Sequence, residues 1–350
     1  MRLGTPDRTP LQFDLSAPLM EIFSQRTGVE AGYSPAWFED ISHRISGNAL
    51  RVAMGSDCVV VGPGPARGFH AVPDTTGVVI NEFGMAMRRG IHYMELVGHP
   101  LAGVSDPGEV ADFSFPDPLA AGRLDAAARE IGRYRGRYFI WGDIEITIWA
   151  LARHLVGMAK LMVDMTDHKP YVDVLFDRCV DYWLVLGREL VRLGVDGIWA
   201  GDDFGTQRGL MMSPRMWRQY FKERYRRLYA GLKEINPDLV IAQHCDGAVA
   251  PILDDWIDAG MEVFNPVQPD VPGHEPAELK RRFGDRLAFW GGLDQQHLLP
   301  HGTPEEVAAA TRRLISALGP GGYMAAPAHI LQPDTPPENV LAFIRAVRGE

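Results

Sequence analysis

Cysteine is scarce in this chain: Cys58, Cys179 and Cys245 are the three, scattered through 350 residues. Three scattered cysteines are poor material for a disulfide framework and fit a reducing cytoplasm. Long apolar runs are missing as well, for no stretch of about 18 uncharged apolar residues occurs and no membrane span is expected. The opening Met1-Arg-Leu-Gly-Thr-Pro6 lacks the apolar core of a secretory signal. A basic stripe is also absent. Acidic side chains outnumber basic ones by 45 to 35 and leave a formal charge of −10, which argues against nucleic acid as a partner. No internal repeat or low-complexity tract stands out. At 46% hydrophobic, 350 residues can bury one large core, so a single domain over 1–350 is expected.

What the chain does have is a recurring punctuation. The run Leu239-Val-Ile-Ala-Gln243 stops at His244-Cys-Asp-Gly247, and Tyr323-Met-Ala-Ala-Pro-Ala328 stops at His329. Tyr138–Gly142 is followed by Asp143 and Glu145, Gly197–Gly201 by Asp202 and Asp203, Glu262–Phe264 by Asn265 and Gln268, and Leu287–Gly291 by Asp294. Helical patterns lie between these runs. Val172, Leu175, Cys179, Tyr182, Leu186, Leu190 and Leu193 recur every three or four residues, which lays one apolar stripe along a helix. Ser213-Pro214 reads as an N-cap with proline in the first turn, opening a helix to about Asn236. Thr303-x-x-Glu306 and Thr335-x-x-Glu338 have capping-box spacing, and Gly319 suits a C-terminal stop. Strand alternating with helix from residue 138 to 350 predicts a parallel sheet closed as a TIM-type (β/α)8 barrel, with a doubly wound sheet as the structural alternative. Two histidines just past the ends of separate runs converge only if those runs are neighbours in such a sheet, an arrangement suited to a metal.

Residues 1–130 read differently. Gly62-Pro-Gly-Pro65 breaks the chain, Thr76–Phe83 and Gly90–Met94 suggest paired strands, and Pro100–Gly122 reads as loop. This elaborated N-terminal region is expected to cover the barrel mouth.

Several motifs in order give the chain a family resemblance. Gly194–Gly205, Ser213-Pro214 with Tyr220 and Phe221, His244–Gly247, and the tail Gly321–His329 with Pro333, Thr335-Pro336 and Glu338-Asn339 resemble the uroporphyrinogen decarboxylase superfamily over Tyr138 to Arg348. The resemblance implies a (β/α) barrel and one of two chemistries: metal-free decarboxylation of uroporphyrinogen, or zinc-dependent methyl transfer to or from corrinoid proteins. The decarboxylases carry an N-terminal arginine-rich signature for a multiply anionic tetrapyrrole. Here Arg2, Arg8 and Arg26 are dispersed, and Arg88-Arg89 suits solvated surface, so that activity is disfavoured. The methyltransferase branch has a His-x-Cys-Gly motif and a distant Cys, whose places are taken here by His244, Asp246 and His329.

The resemblance therefore implies a zinc site of His244, Asp246 and His329, with fewer thiolates and a harder metal suited to an oxygen or nitrogen leaving group. Asp246 has a second reading as a helix cap. Cys245 should point away from its neighbours by strand alternation and pack as a core thiol. One of the adjacent Asp202 and Asp203 is expected to work at the mouth while the other caps or pairs. Glu145 interrupts an apolar segment and is read as a fourth metal ligand or general acid. No corrinoid-binding signature occurs in the chain, so methyl transfer between a small O- or N-methylated substrate and a corrinoid would need a separate corrinoid protein. A lyase on a carboxylated substrate and a non-catalytic binding barrel are the alternatives.

Overall fold

The computed structural model describes residues 3–4, 6–34, 44–91 and 93–350; Arg2 of the dispersed arginines and His92 within the expected second strand lie outside them. Among the described residues ten strands form in chain order: β1 (Cys58–Val61), β2 (Val78–Ile80), β3 (Ala86–Arg89), β4 (Met94–Gly98), β5 (Phe139–Glu145), β6 (Gly197–Gly201), β7 (Val240–His244), β8 (Val263–Val267), β9 (Ala288–Leu293) and β10 (Tyr323–Pro327). Seven of them make one sheet in the order β1-β5-β6-β7-β8-β9-β10, every pair parallel.

The eighth stave comes from residues 10–15. Leu11 bridges Ala325 of β10 in parallel, the Gln12 amide donates to the Ala325 carbonyl at 3.0 Å, and the Ala325 amide donates to the Pro10 carbonyl at 2.9 Å. On its other side the Asp57 amide, next to β1, donates to the Leu11 carbonyl at 2.8 Å. The sheet thus curls shut as a TIM-type barrel, and two of its eight staves lie before residue 62, well ahead of the stretch where strand and helix visibly alternate.

Side-chain alternation divides the core in two. Cys58, Val60, Trp141, Trp199, Val240, Ala242, Val263, Ala288, Trp290, Met324 and Ala326 fill the barrel interior, and the intervening Val59, Ile140, Ile198, Ile241, Phe264, Phe289 and Ala325 face the helices outside. Three tryptophans plug the interior: Trp290 stacks on Trp141 at 5.2 Å between centroids and packs against Trp199 at 4.2 Å with the rings tilted by 36°. Gly197 makes room for them, because a Cβ there would lie 2.4 Å from the Trp141 ring.

The helices follow the expected patterns with two local differences. Pro170–Leu193 buries Val172, Leu175, Cys179, Tyr182, Leu186 and Leu190 along one side. Ser213 caps the next helix through the Met216 amide at 3.1 Å, and that helix passes through a π-turn at Arg218–Lys222 before ending at Lys233. Thr303 and Glu306 form a complete capping box. Thr335 and Glu338 do not: the last helix starts at Pro337 with Pro336 as its N-cap, so the threonine sits one position too early, buried with its hydroxyl unpartnered. Gly319 does end its helix, at φ −79° rather than in the left-handed region.

In the N-terminal region β2, β3 and β4 form an antiparallel meander in which β3 lies between the other two. Of the two expected strands, Thr76–Phe83 contains β2, whereas Gly90–Met94 reaches a strand only at Met94; Ala86–Arg89, between them in sequence, pairs with both neighbours. Arg88 and Arg89 are exposed. Met87, Met94 and Leu96 of this sheet face the barrel mouth, where they line a cavity. Among the described residues no helix is long and apolar enough to cross a membrane.

Candidate active site

The interior face turns polar at the carboxyl ends of the strands. Parallel register sets Glu145 beside Gly201, Gly201 beside His244, and His244 beside Asn265, one row across β5 to β8. Gly201 is what lets the row close up. A Cβ there would lie 2.7 Å from Glu145 Cγ and 3.4 Å from His244 Cβ; without one, Glu145 Oε1 comes within 3.8 Å of His244 Nε2.

His244 is held in a defined state. Its Nδ1 lies 2.8 Å from Asn265 Oδ1, and the Trp199 indole N–H donates to that same oxygen at 3.1 Å. An indole nitrogen only donates, so the oxygen is the acceptor and Nδ1 carries the proton. Nε2 of the neutral ring then offers its lone pair to the mouth, the orientation a second-shell amide gives a metal-binding histidine. Burial opposes charge on His244, but Asp246, Glu145 and Asp203 outweigh it and leave its pKa above the ordinary value.

His329, just beyond β10, completes the convergence. Its Nε2 lies 3.8 Å from Asp246 Oδ2, Asp246 Oδ1 lies 3.9 Å from His244 Nε2, and the two imidazoles are 5.4 Å apart at 70°. One ligand atom from each of His244, Asp246 and His329 falls within 4.8 Å of the others. Burial pulls the His329 pKa down against the raising effect of Asp246. Asp246 begins no helix; the next helical turn opens at Ala250. Its backbone is fixed by contact between two loops, since a Cβ on Gly205 would lie 2.5 Å from the Asp246 carbonyl and Gly247 has φ +81°.

The neighbouring carboxylates divide their work. Asp203 Oδ1 accepts from the Asp246 amide at 3.0 Å and lies 3.8 Å from His244 Nε2. Although burial raises its pKa, His244, the Asp246 amide and Arg153 together hold it below the usual value. Asp202 turns the other way: it accepts from the amides of Ile148 (2.8 Å) and Ala150 (2.6 Å) and from the Tyr225 hydroxyl (2.5 Å), capping the helix Trp149–Val156. With its oxygens so occupied it is placed for support of the cavity wall rather than for chemistry. Burial raises its pKa to about 6 despite those bonds. Asp202→Ala strands two backbone amides and a buried hydroxyl, and is expected to lower stability by about 2–3 kcal/mol or more, measured by denaturant titration, with metal content per folded chain unchanged. Loss of metal at unchanged stability would return Asp202 to the site.

Cys245 points outward, as alternation requires. It is buried among the helices, its sulfur accepts from the Phe204 amide at 3.2 Å, and burial raises its thiol pKa well above the ordinary value. Two site residues carried too weak a signal to be singled out. Arg44, in a loop far from any strand run, donates to Glu145 Oε1 at 3.0 Å and lies 3.9 Å over the Trp199 ring. Asp143 follows the strand-end rule but was not distinguished from its neighbours; burial, moderated by Arg44 and reinforced by Glu145, raises its pKa to about 7. Arg44, Glu145, Arg153, Asp203, His244, Asp246 and His329 line a cavity of about 250 Å³ together with the apolar Met87, Met94, Leu96, Ile146 and Ala150.

A closed parallel barrel with histidines and carboxylates converging at the carboxyl ends of its strands defines a (β/α) barrel of enzyme type, in which that face carries the chemistry. A family profile described as uroporphyrinogen decarboxylase (URO-D) matches residues 106–349, and the chain belongs to that family. It is 23% identical over 215 residues to uroporphyrinogen decarboxylase of Serratia proteamaculans (strain 568), a match covering 58% of this chain and 56% of that protein. It is 27% identical over 267 residues to the uroporphyrinogen decarboxylase of Mus musculus, covering 67% and 68% of the two chains. The chain thus spans about half to two thirds of the length of these curated relatives. Among solved structures, a methyltransferase from Methanosarcina mazei superposes with a TM-score of 0.74 at 19% identity, over 98% of this chain and 94% of that one, a likeness of fold.

Proposed function

We propose that this protein is a zinc-dependent methyltransferase that moves a methyl group between a small O- or N-methylated compound and a separate corrinoid protein. The observation that carries the reading is the converged donor set of His244, Asp246 and His329, with the His244 tautomer fixed through Asn265 and Trp199. The set suits zinc: two imidazoles and a carboxylate are ligand types that zinc takes, and one donor atom from each lies within 4.8 Å of the others, so a shared ion would draw them closer together. Zinc held there supplies a Lewis acid that draws charge from the oxygen or nitrogen releasing the methyl group. Glu145, facing the same atoms across 3.8 Å from His244, is the carboxyl placed to ligate the metal or to move a proton at the leaving atom. The apolar wall of Met87, Met94 and Leu96 holds the substrate body away from water.

The dimensions speak against a tetrapyrrole. As bounded by the described residues, the cavity of about 250 Å³ sits at the bottom of the roughly 300–1,000 Å³ range of drug-sized ligand sites. The dispersed arginines do not gather there either: Arg8 pairs with Asp57 at 2.6 Å and Arg26 with Glu338 at 3.1 Å. The test mixes the protein with a reduced corrinoid protein and a panel of methyl ethers and N-methyl compounds and follows the corrinoid absorption spectrum. A substrate-dependent change to the methylated form is expected. No change with any partner, together with carbon dioxide release from a carboxylated compound, would establish the lyase instead.

A further inference from the structure

Two guanidinium groups line the cavity, and the structure gives them different surroundings. Arg44 is engaged with Glu145 at 3.0 Å, with Asp143 at 3.8 Å and with the Trp199 ring. Arg153 forms no side-chain hydrogen bond among the described residues: its Nε is buried without a partner, and the carboxylate it faces, Asp203 Oδ2, is 3.7 Å away, beyond hydrogen-bond length. Its side chain is 22% exposed, and it lines the cavity. Its position is also fixed. Arg153 lies in Trp149–Val156, the helix whose first amides Asp202 holds, and the three-residue spacing brings Ala150 and Arg153 to one side of it, where both line the cavity.

The buried Nε–H of this guanidinium has no acceptor within the described residues, and the partly exposed remainder of the group is open to an acceptor that enters the cavity. The acceptor that matches its planar fork is a carboxylate, bound through two parallel N–H···O contacts. Around it, Met87, Met94, Leu96 and Ile146 offer apolar surface, and the cavity limits the guest to a small molecule.

We infer that Arg153 anchors the substrate by a carboxylate, so that the compound has an acid group at one end, an apolar body along the methionine wall and its reacting end at the His244, Asp246 and His329 cluster. Placing a methylated oxygen or nitrogen at that reacting end rests on the methyltransferase reading; the acid anchor does not. This is a specificity role that sorts substrates by charge.

Calorimetric titration of the full chain, as purified, tests this with 4-methoxybenzoate and 4-methoxybutanoate, each set against its primary amide. The wild type is expected to bind the acids about tenfold or more tightly than the amides. Arg153→Gln should erase that preference by weakening the acids alone, with metal content and melting temperature close to wild type. Arg153→Lys, which keeps a charge but not the fork, should keep part of it. The inference is overturned if neither acid is preferred by the wild type, if Arg153→Lys binds acids and amides as the wild type does, if Arg153→Gln retains the preference, or if that variant loses its metal, which would make Arg153 a structural partner of Asp203. No corrinoid and no turnover enter these titrations. Acid preference without methyl transfer to any corrinoid protein would remove the methyltransferase reading and leave the anchor; transfer from neutral ethers with kcat/KM unchanged in Arg153→Gln would do the reverse.

Discussion

Purified with zinc present, the protein is expected to hold about one zinc ion per chain, and His244→Ala or His329→Ala to hold less than about a tenth of that. The size of the effect follows from the ligand count. Removing one of three protein donors leaves an imidazole and a carboxylate, and two donors compete poorly with water for the ion. Both histidines are expected to matter because they reach the site from different strands, β7 and the end of β10, with Asp246 between them at 3.9 and 3.8 Å. Their outer contacts differ, which separates the two variants. His244→Ala also leaves Asn265 Oδ1 with only the Trp199 indole, deep in the barrel, and should lower the melting temperature more than His329→Ala. Elemental analysis and thermal unfolding of the same preparations give both readouts. Full metal occupancy in both single variants would move the centre away from this cluster.

The chain gave away the strand ends more readily than the closure. His244 and His329 stand just past apolar runs, and in a parallel barrel every such end reaches the same mouth, so their convergence was legible from punctuation, whereas Asp246 joined them only through the family resemblance. Cys245 was legible too, because alternation decides which side of a strand a residue faces. The first stave was not. Leu11-Gln-Phe-Asp-Leu15 does alternate, with Leu11, Phe13 and Leu15 buried outward and Gln12 turned inward to accept from the Trp290 indole at 3.1 Å. Five residues between prolines and a helix are too short a signal, and here both sides are buried, the polar one inside the barrel. Arg44 was invisible for another reason. It lies in a loop about a hundred residues from Glu145, and only the closed barrel brings the two to 3.0 Å. Asp202 and Asp203 are adjacent in sequence yet face opposite tasks, one toward the amides of Ile148 and Ala150 and one toward His244. Adjacency alone does not say which is which; the path of the chain after β6 does.

Glu145→Gln is expected to reduce turnover by about 10² to 10⁴ while leaving zinc bound, if the carboxyl moves a proton at the leaving atom. Three contacts frame the argument. Glu145 Oε1 lies 3.8 Å from His244 Nε2, the same oxygen accepts from Arg44 at 3.0 Å, and its backbone amide is fixed by Asp143 Oδ1 at 3.0 Å. The converging His244, Asp246 and His329 atoms do not need it to complete a three-donor set, so glutamine, which keeps the shape and an accepting oxygen, should preserve the metal. What glutamine loses is the exchangeable proton and the charge that balances Arg44. Were Glu145 a ligand, the amide would bind the ion weakly, and metal content would fall together with turnover. Were it only the counterion of a buried Arg44, the melting temperature would fall while metal and rate per folded chain stayed near wild type. Metal content, turnover and melting temperature measured on one preparation therefore separate the three roles, and the last pattern would take Glu145 out of the chemistry altogether.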